Sequence, residues 1–134
     1  MASLNVKAVL AKILQCPMVV ESGTSGIWTY RKWSDGTAEC WGSNTTTQSF
    51  AAWGNIYSSD ITPSLSYPSG LFTSVPAVFA TSRFNTSLNA VGSVTSGRGA
   101  PNNTDVPYVT IVRGSTTSGN ISTTTYYYAI GKWK

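Results

Sequence analysis

The chain reads as an all-β protein, an antiparallel β-sandwich of six to seven strands preceded by a short N-terminal helix. Three observations carry this reading. Apolar residues recur at spacings of three and four only before Pro17, and beyond it the pattern changes to alternation. The alternating runs are short and are separated by Gly, Pro, Asn and Ser, the punctuation of an antiparallel all-β domain. No internal repeat is visible, which excludes a solenoid or a propeller. At 134 residues the chain has the size of one domain. The expected division is a helical stem over residues 1–18 and a β-sandwich head over 19–134.

Val6, Val9, Leu10 and Ile13 fall on one helical face, with Lys7 and Lys12 mostly off it. Ser3 or Asn5 is placed to cap the start, and Pro17 ends the run. About eleven residues of helix are marginal alone in water, so the apolar face needs a partner, either the domain itself or copies of the same helix. The β-branched Val6 and Ile13 suit a parallel bundle. Lys7 and Lys12 also interrupt the only stretch that resembles a secretion signal, and no run approaches the ~20 apolar residues of a membrane span. Neither a signal peptide nor membrane insertion is expected.

The clearest β unit is IWTYRKWSDGTAECWG, residues 27–42. Asp35-Gly36 predicts a two-residue type I′ turn, whose central positions both need positive φ. That turn sets Lys32 opposite Glu39 and Tyr30 opposite Trp41 on one face. Cys40 reads as a small buried hydrophobe, and both it and Cys16 are expected to be reduced. The further strands expected are Gln48–Ile56, Ala77–Arg83, Ser87–Thr95, Tyr108–Arg113 and Thr123–Trp133. In the last of these Tyr126, Tyr128 and Ile130 share one side, and Tyr127, Ala129 and Trp133 the other.

Composition excludes most chemistry. There is no histidine, so Ser-His-Asp and Cys-His catalysis, His-ligated metals and His pH switches are absent by inventory. Charged residues make up 10% of the chain, and hydroxyls replace them, with 19 Ser and 18 Thr. The net charge of +4 comes from scattered bases and few acids, without the clustering that phosphate binding demands, so no nucleic acid is expected as a partner. Asp35 and Glu39 could be weighed as a glycosidase pair, but the turn uses the first and Lys32 faces the second. No Walker-type loop, CxxC pair or EF-hand loop occurs. No catalytic residue, metal or cofactor is expected.

The best binding candidate is the polar, glycine-rich loop over residues 96–105. It gathers Arg98, Asn102, Asn103 and Asp105 between two expected strands, where a rigid sandwich commonly carries recognition. Residues 58–63 and 113–120 are weaker candidates. Trp28, Trp33, Trp41 and Trp53 offer faces for stacking on sugars, although core packing is the competing use of each.

Three segments, GTSGIWTYRKWSDGTAECWG, YPSGLFTSVPAVFATS and VPYVTIVRGSTTSGNISTTTYYYAIGKW, resemble the C-terminal domains of tailed-bacteriophage tail-fibre and baseplate proteins. The hairpin over Trp28–Gly42 is the most specific of them. Some such domains are similar to H-type lectins, although this chain lacks histidine and shows no residue-by-residue sugar motif. The resemblance implies a homotrimeric β-sandwich on a short stem, located in the virion tail and assembled in the bacterial host cytoplasm. Its partners would be a host cell-surface saccharide and other phage tail proteins. The function implied is host adhesion without catalysis, or a virion structural or decorating role with no glycan ligand.

Overall fold

The computed structural model describes residues 5–60, 62–85, 93–95, 101–114 and 119–134. Among the described residues one helix, α1 (Val6–Gln15), precedes eight strands: β1 (Val19–Ser25), β2 (Trp28–Trp33), β3 (Thr37–Trp53), β4 (Ile56–Ser59), β5 (Ala77–Phe84), β6 (Ser93–Thr95), β7 (Val109–Arg113) and β8 (Gly119–Lys132). Every pairing is antiparallel. The helix starts where the Asn5 side chain accepts the Ala8 amide at 3.1 Å, as an N-cap should. Its end is tied to the body at Met18, whose carbonyl accepts the Ser34 amide and whose amide donates to the Ser34 hydroxyl.

β3 organises the sheet. One edge pairs with β8 over its whole length from Thr37 to Phe50. The other edge pairs first with β2 and then, from Phe50 onward, with β4. β1 extends the sheet from β2, and β5 lies on the far side of β8. The branch through β4, β7 and β6 turns back until β6 runs alongside β5, which makes the second layer of a sandwich. Inside this half, the Phe50 and Phe84 rings lie 5.7 Å apart, and the Arg113 guanidinium sits 5.1 Å above Phe50. In the other half the segment over residues 62–76 covers the sheet with Tyr67, Leu71 and Phe72, packed on Trp28 and Tyr127. Each such side chain contributes about 1.5–3 kcal/mol by leaving water.

The hydroxyl-rich composition is used inside as well as outside. Thr123, Thr124 and Thr125 are buried in β8. Thr124 shares a hydrogen bond with Thr45 at 2.8 Å and accepts from Asn85, while Thr125 pairs with Ser82 at 2.8 Å. Buried hydroxyls with such partners avoid the desolvation penalty.

The expected alternation of the last strand is observed: Tyr127 and Ala129 are buried, and Tyr126 is exposed. Cys40 is also fully buried, neither cysteine is in a disulfide, and burial pushes the Cys40 thiol up to about 12. Three expectations are corrected. β1 is an eighth strand that the sequence does not announce, because its ESGTS stretch is polar and almost wholly exposed. The expected strand over Gln48–Ile56 is the end of β3, a turn at Gly54-Asn55, and the start of β4. Gly54 has φ +60° and Asn55 a negative φ, the pattern of a type II′ hairpin turn. Of the expected strand Ser87–Thr95, only β6 lies within the described residues.

The third correction concerns register. Arg31 faces Glu39, Thr29 faces Trp41 and Tyr30 faces Cys40, one residue away from the expected pairing. Only Gly36 has positive φ here, at +87°, so Asp35 cannot be part of a type I′ turn. The loop has three residues, closed by the Gly36 amide on the Trp33 carbonyl, with the glycine in the left-handed position. Asp35 keeps a role by accepting the Thr37 amide at 2.9 Å. The slip moves Tyr30 and Lys32 to the face opposite Trp41 and Glu39.

Candidate functional site

The structure brings three of the four loop candidates together, and Arg98 lies outside the described residues. Asn102 Oδ1 accepts the amides of Thr104 (2.8 Å) and Asp105 (2.6 Å) and the Thr104 hydroxyl (3.0 Å). Asp105 accepts the Ser66 hydroxyl at 2.8 Å and the Thr104 hydroxyl at 3.1 Å. Asn103 donates to the Phe72 carbonyl at 3.0 Å. Hydrogen bonds from Ser66 and then Thr104 hold the Asp105 carboxyl below the usual carboxylate range. This arrangement clamps the loop onto the segment over residues 62–76, with backbone bonds from Tyr67 to Thr104 and from Val106 to Leu65. Asn102, Asn103 and Asp105 thus spend many of their polar groups on holding the loop, through Thr104, Ser66 and the Phe72 carbonyl.

Of the weaker candidates, Ser59 accepts the Ile111 amide and donates to the Asp60 carbonyl, and Asp60 accepts the Ser49 amide. Arg113 is buried over Phe50. Residues 115–118 lie outside the described residues.

The tryptophans separate clearly. Trp28 is buried and donates to the Ser66 carbonyl at 2.8 Å. Trp133 donates to the Trp33 carbonyl at 2.9 Å and has the Lys32 and Lys134 ammonium groups near its ring. Trp41 is half-buried beneath Arg31, whose guanidinium lies 5.0 Å from its ring centre. Trp53 differs from all of these. It stands at the β3–β4 turn with 63% of its surface exposed. The composition names Trp53 as one face among several, and only the turn at Gly54-Asn55 shows it to be the presented one.

Two clefts flank the β2 strand. On the outer face a groove of about 370 Å³ runs along Trp41, with Thr29, Ser43 and Tyr126 around it. From this groove an apolar row continues across the sheet, because Trp41 faces Tyr128 and Tyr128 faces Phe79. Phe79 is 64% exposed. Tyr128 donates to Glu39 at 2.7 Å, and that bond pushes its own pKa up. On the inner side a second cleft, of about 310 Å³, opens between the β1–β2 hairpin and the turn at Pro68–Leu71.

No family model and no curated protein sequence matches this chain. Among solved structures it is similar to an N-truncated R1-type pyocin tail fiber, with a TM-score of 0.53 and 14% identity. The match covers 98% of this chain and 99% of that chain. At that identity the likeness is one of fold.

Proposed function

We propose that the chain is a tail-fibre head that attaches a phage or phage-like tail to bacterial cells by recognising a surface saccharide without altering it. The observation that carries this reading is the placement of two uncovered apolar features at opposite ends of the domain. At one end Met18, just beyond α1, is fastened to the β2–β3 turn. From that turn β3 runs 17 residues, roughly 55 Å when extended, to Trp53. An exposed indole on a hairpin tip is suited to stacking against the apolar face of a sugar ring. The fold likeness to a tail fiber and the hairpin resemblance support the same reading.

Helix α1 supplies the stem in this proposal. Val6, Val9, Leu10 and Ile13 are all 40–58% exposed in the single chain. A ten-residue helix with an uncovered stripe gains its stability from association, and three copies in a parallel bundle cover it. Light scattering at micromolar concentration should give three times the 14.3 kDa chain mass. A monomer would remove the stem.

Adhesion is tested by incubating fluorescently labelled protein with a panel of bacteria and with arrayed bacterial surface polysaccharides. Binding to cells that soluble polysaccharide competes away is the expected result. A second reading, a virion structural protein with no glycan ligand, is favoured by the exposed row at Phe79 and Tyr126, which suits protein contacts. Absence of binding to cells and polysaccharides alike, together with capture by a tail component, would select it.

A further inference from the structure

We infer that the cleft between the β1–β2 hairpin and the Pro68–Leu71 turn is a seat for one sugar ring, with Glu21 as the acceptor of its hydroxyls. The inference rests on the saccharide-recognition reading above and adds a site separate from the Trp53 tip.

The cleft is built by register. Glu21 faces Lys32 and Gly23 faces Tyr30, so the four residues share one face of the hairpin. Gly23 is required for this packing: a Cβ there would lie 2.9 Å from the Tyr30 hydroxyl oxygen and 3.1 Å from the ring. The phenol therefore lies close against the β1 backbone and donates to Glu21 Oε1 at 3.2 Å. Lys32 Nζ donates to Glu21 Oε2 at 3.0 Å. Both carboxylate oxygens are thereby oriented, while about half of the Glu21 side chain stays exposed. The hydrogen bond from Lys32 holds the Glu21 carboxyl below its ordinary value, which favours its ionised, hydrogen-bond-accepting form. The opposite wall is a turn in which the Leu71 amide bonds to the Pro68 carbonyl and Gly70 takes φ +67°, placing Ser69 on the cleft.

The chemistry selects the ligand class. Glu21 and Lys32 cancel in charge, so the cleft does not attract a strongly charged ligand. A carboxylate has about four acceptor positions and an ammonium three donors, so both keep capacity beyond their mutual bond. Ser25, on the same face of β1 as Glu21, and Ser69 on the opposite wall also line the cleft and add polar groups to it. Tyr30 and Pro68 add carbon surface for the C–H face of a ring. The volume, about 310 Å³, lies at the lower end of small-molecule sites and suits a single ring. A neutral polyhydroxylated ring matches each of these features.

The test is a ¹H–¹⁵N NMR titration of the intact protein with the methyl glycosides of glucose, galactose, mannose and N-acetylglucosamine. Each is taken to on the order of 50 mM, so that even a contact with a Kd of about 1 mM reaches saturation. At least one glycoside should give saturable shifts at the amides of Thr24, Ser25, Ser69 and Gly70. Glu21→Gln should weaken that binding about tenfold, the scale of one charge-assisted hydrogen bond. Gly23→Ala, which displaces Tyr30, should weaken it similarly, and retained amide dispersion in both variants shows that they are folded. Shifts confined to the Trp53 turn would overturn the cleft while leaving saccharide recognition standing. No shifts with any glycoside, in protein that still binds cells, would also overturn it. Protein that binds neither glycosides nor cells would overturn the cleft and the adhesion reading together.

Discussion

The carbonyl oxygen of Ile27 occupies the space that a Cβ on Gly42 would need. Trp28 and Gly42 are partners in the β2–β3 ladder, so the β1–β2 turn presses directly on the neighbouring strand. Gly42→Ala must displace backbone rather than a flexible side chain. It is expected to destabilise the domain by about 2–4 kcal/mol, measured as a lowered urea midpoint. An unchanged midpoint would show that the turn can move aside without cost.

Trp53 separates folding from recognition. With 63% of its surface exposed, it contributes little to the core. Trp53→Ala should change stability by no more than about 0.5 kcal/mol while sharply reducing adhesion to cells. Full adhesion by this variant would remove the tip from the binding surface.

The Tyr67 hydroxyl is buried without a hydrogen-bond partner among the described residues. Burial also raises its pKa. Its ring packs on Trp28 and Phe72, so the ring is useful and the hydroxyl is a liability. Tyr67→Phe is expected to be neutral or to stabilise by up to about 1 kcal/mol in thermal or urea unfolding. A loss of more than about 1 kcal/mol would reveal a bond to this hydroxyl.

The pH profile should have a broad plateau. Glu21, Asp35 and Asp105 are held below their ordinary values, chiefly by hydrogen bonds from Lys32, the Thr37 amide and Ser66 respectively. A carboxyl with a depressed folded pKa binds its proton more tightly when unfolded. Its contribution is therefore complete above the unfolded value near 4 and disappears as the pH falls through the folded value. Cys40 acts in the opposite sense. Its raised pKa keeps the folded thiol neutral, so its contribution is complete below the unfolded value near 8.5 and is lost as pH rises toward about 12. With no histidine, unfolding free energy should be flat from about pH 5 to pH 8. An inflection near pH 6.5 would contradict this assignment, and Cys40→Ala should diminish the alkaline decline.

Legibility varied with the range of the interaction. The helix, its Asn5 cap and the alternation of β8 were readable because each depends on residues close in sequence. The Asp35-Gly36 turn was also readable, but its length was not. An Asp-Gly pair serves two-residue and three-residue loops, and the choice shifts every partner on β2 by one. β1 is not legible in the sequence, because an exposed, polar edge strand has no apolar period. Asn102, Asn103 and Asp105 are legible in the sequence as polar residues of one loop. Their bonds to Ser66 and Phe72 depend on a segment more than thirty residues away, so clamping could not be told from ligand binding.

By itself, the sequence determined the class: a short amphipathic helix, then antiparallel strands rich in hydroxyls and aromatics, with no histidine for catalysis or metals. Local propensity and period are enough for that. Only the tertiary structure decided which aromatic is presented, which face holds Tyr30 and Lys32, and how β4, β7 and β6 fold back over Phe50. Those choices are made by cross-strand pairs and buried contacts between distant residues. Their free energies outweigh the small local preferences that a linear pattern records.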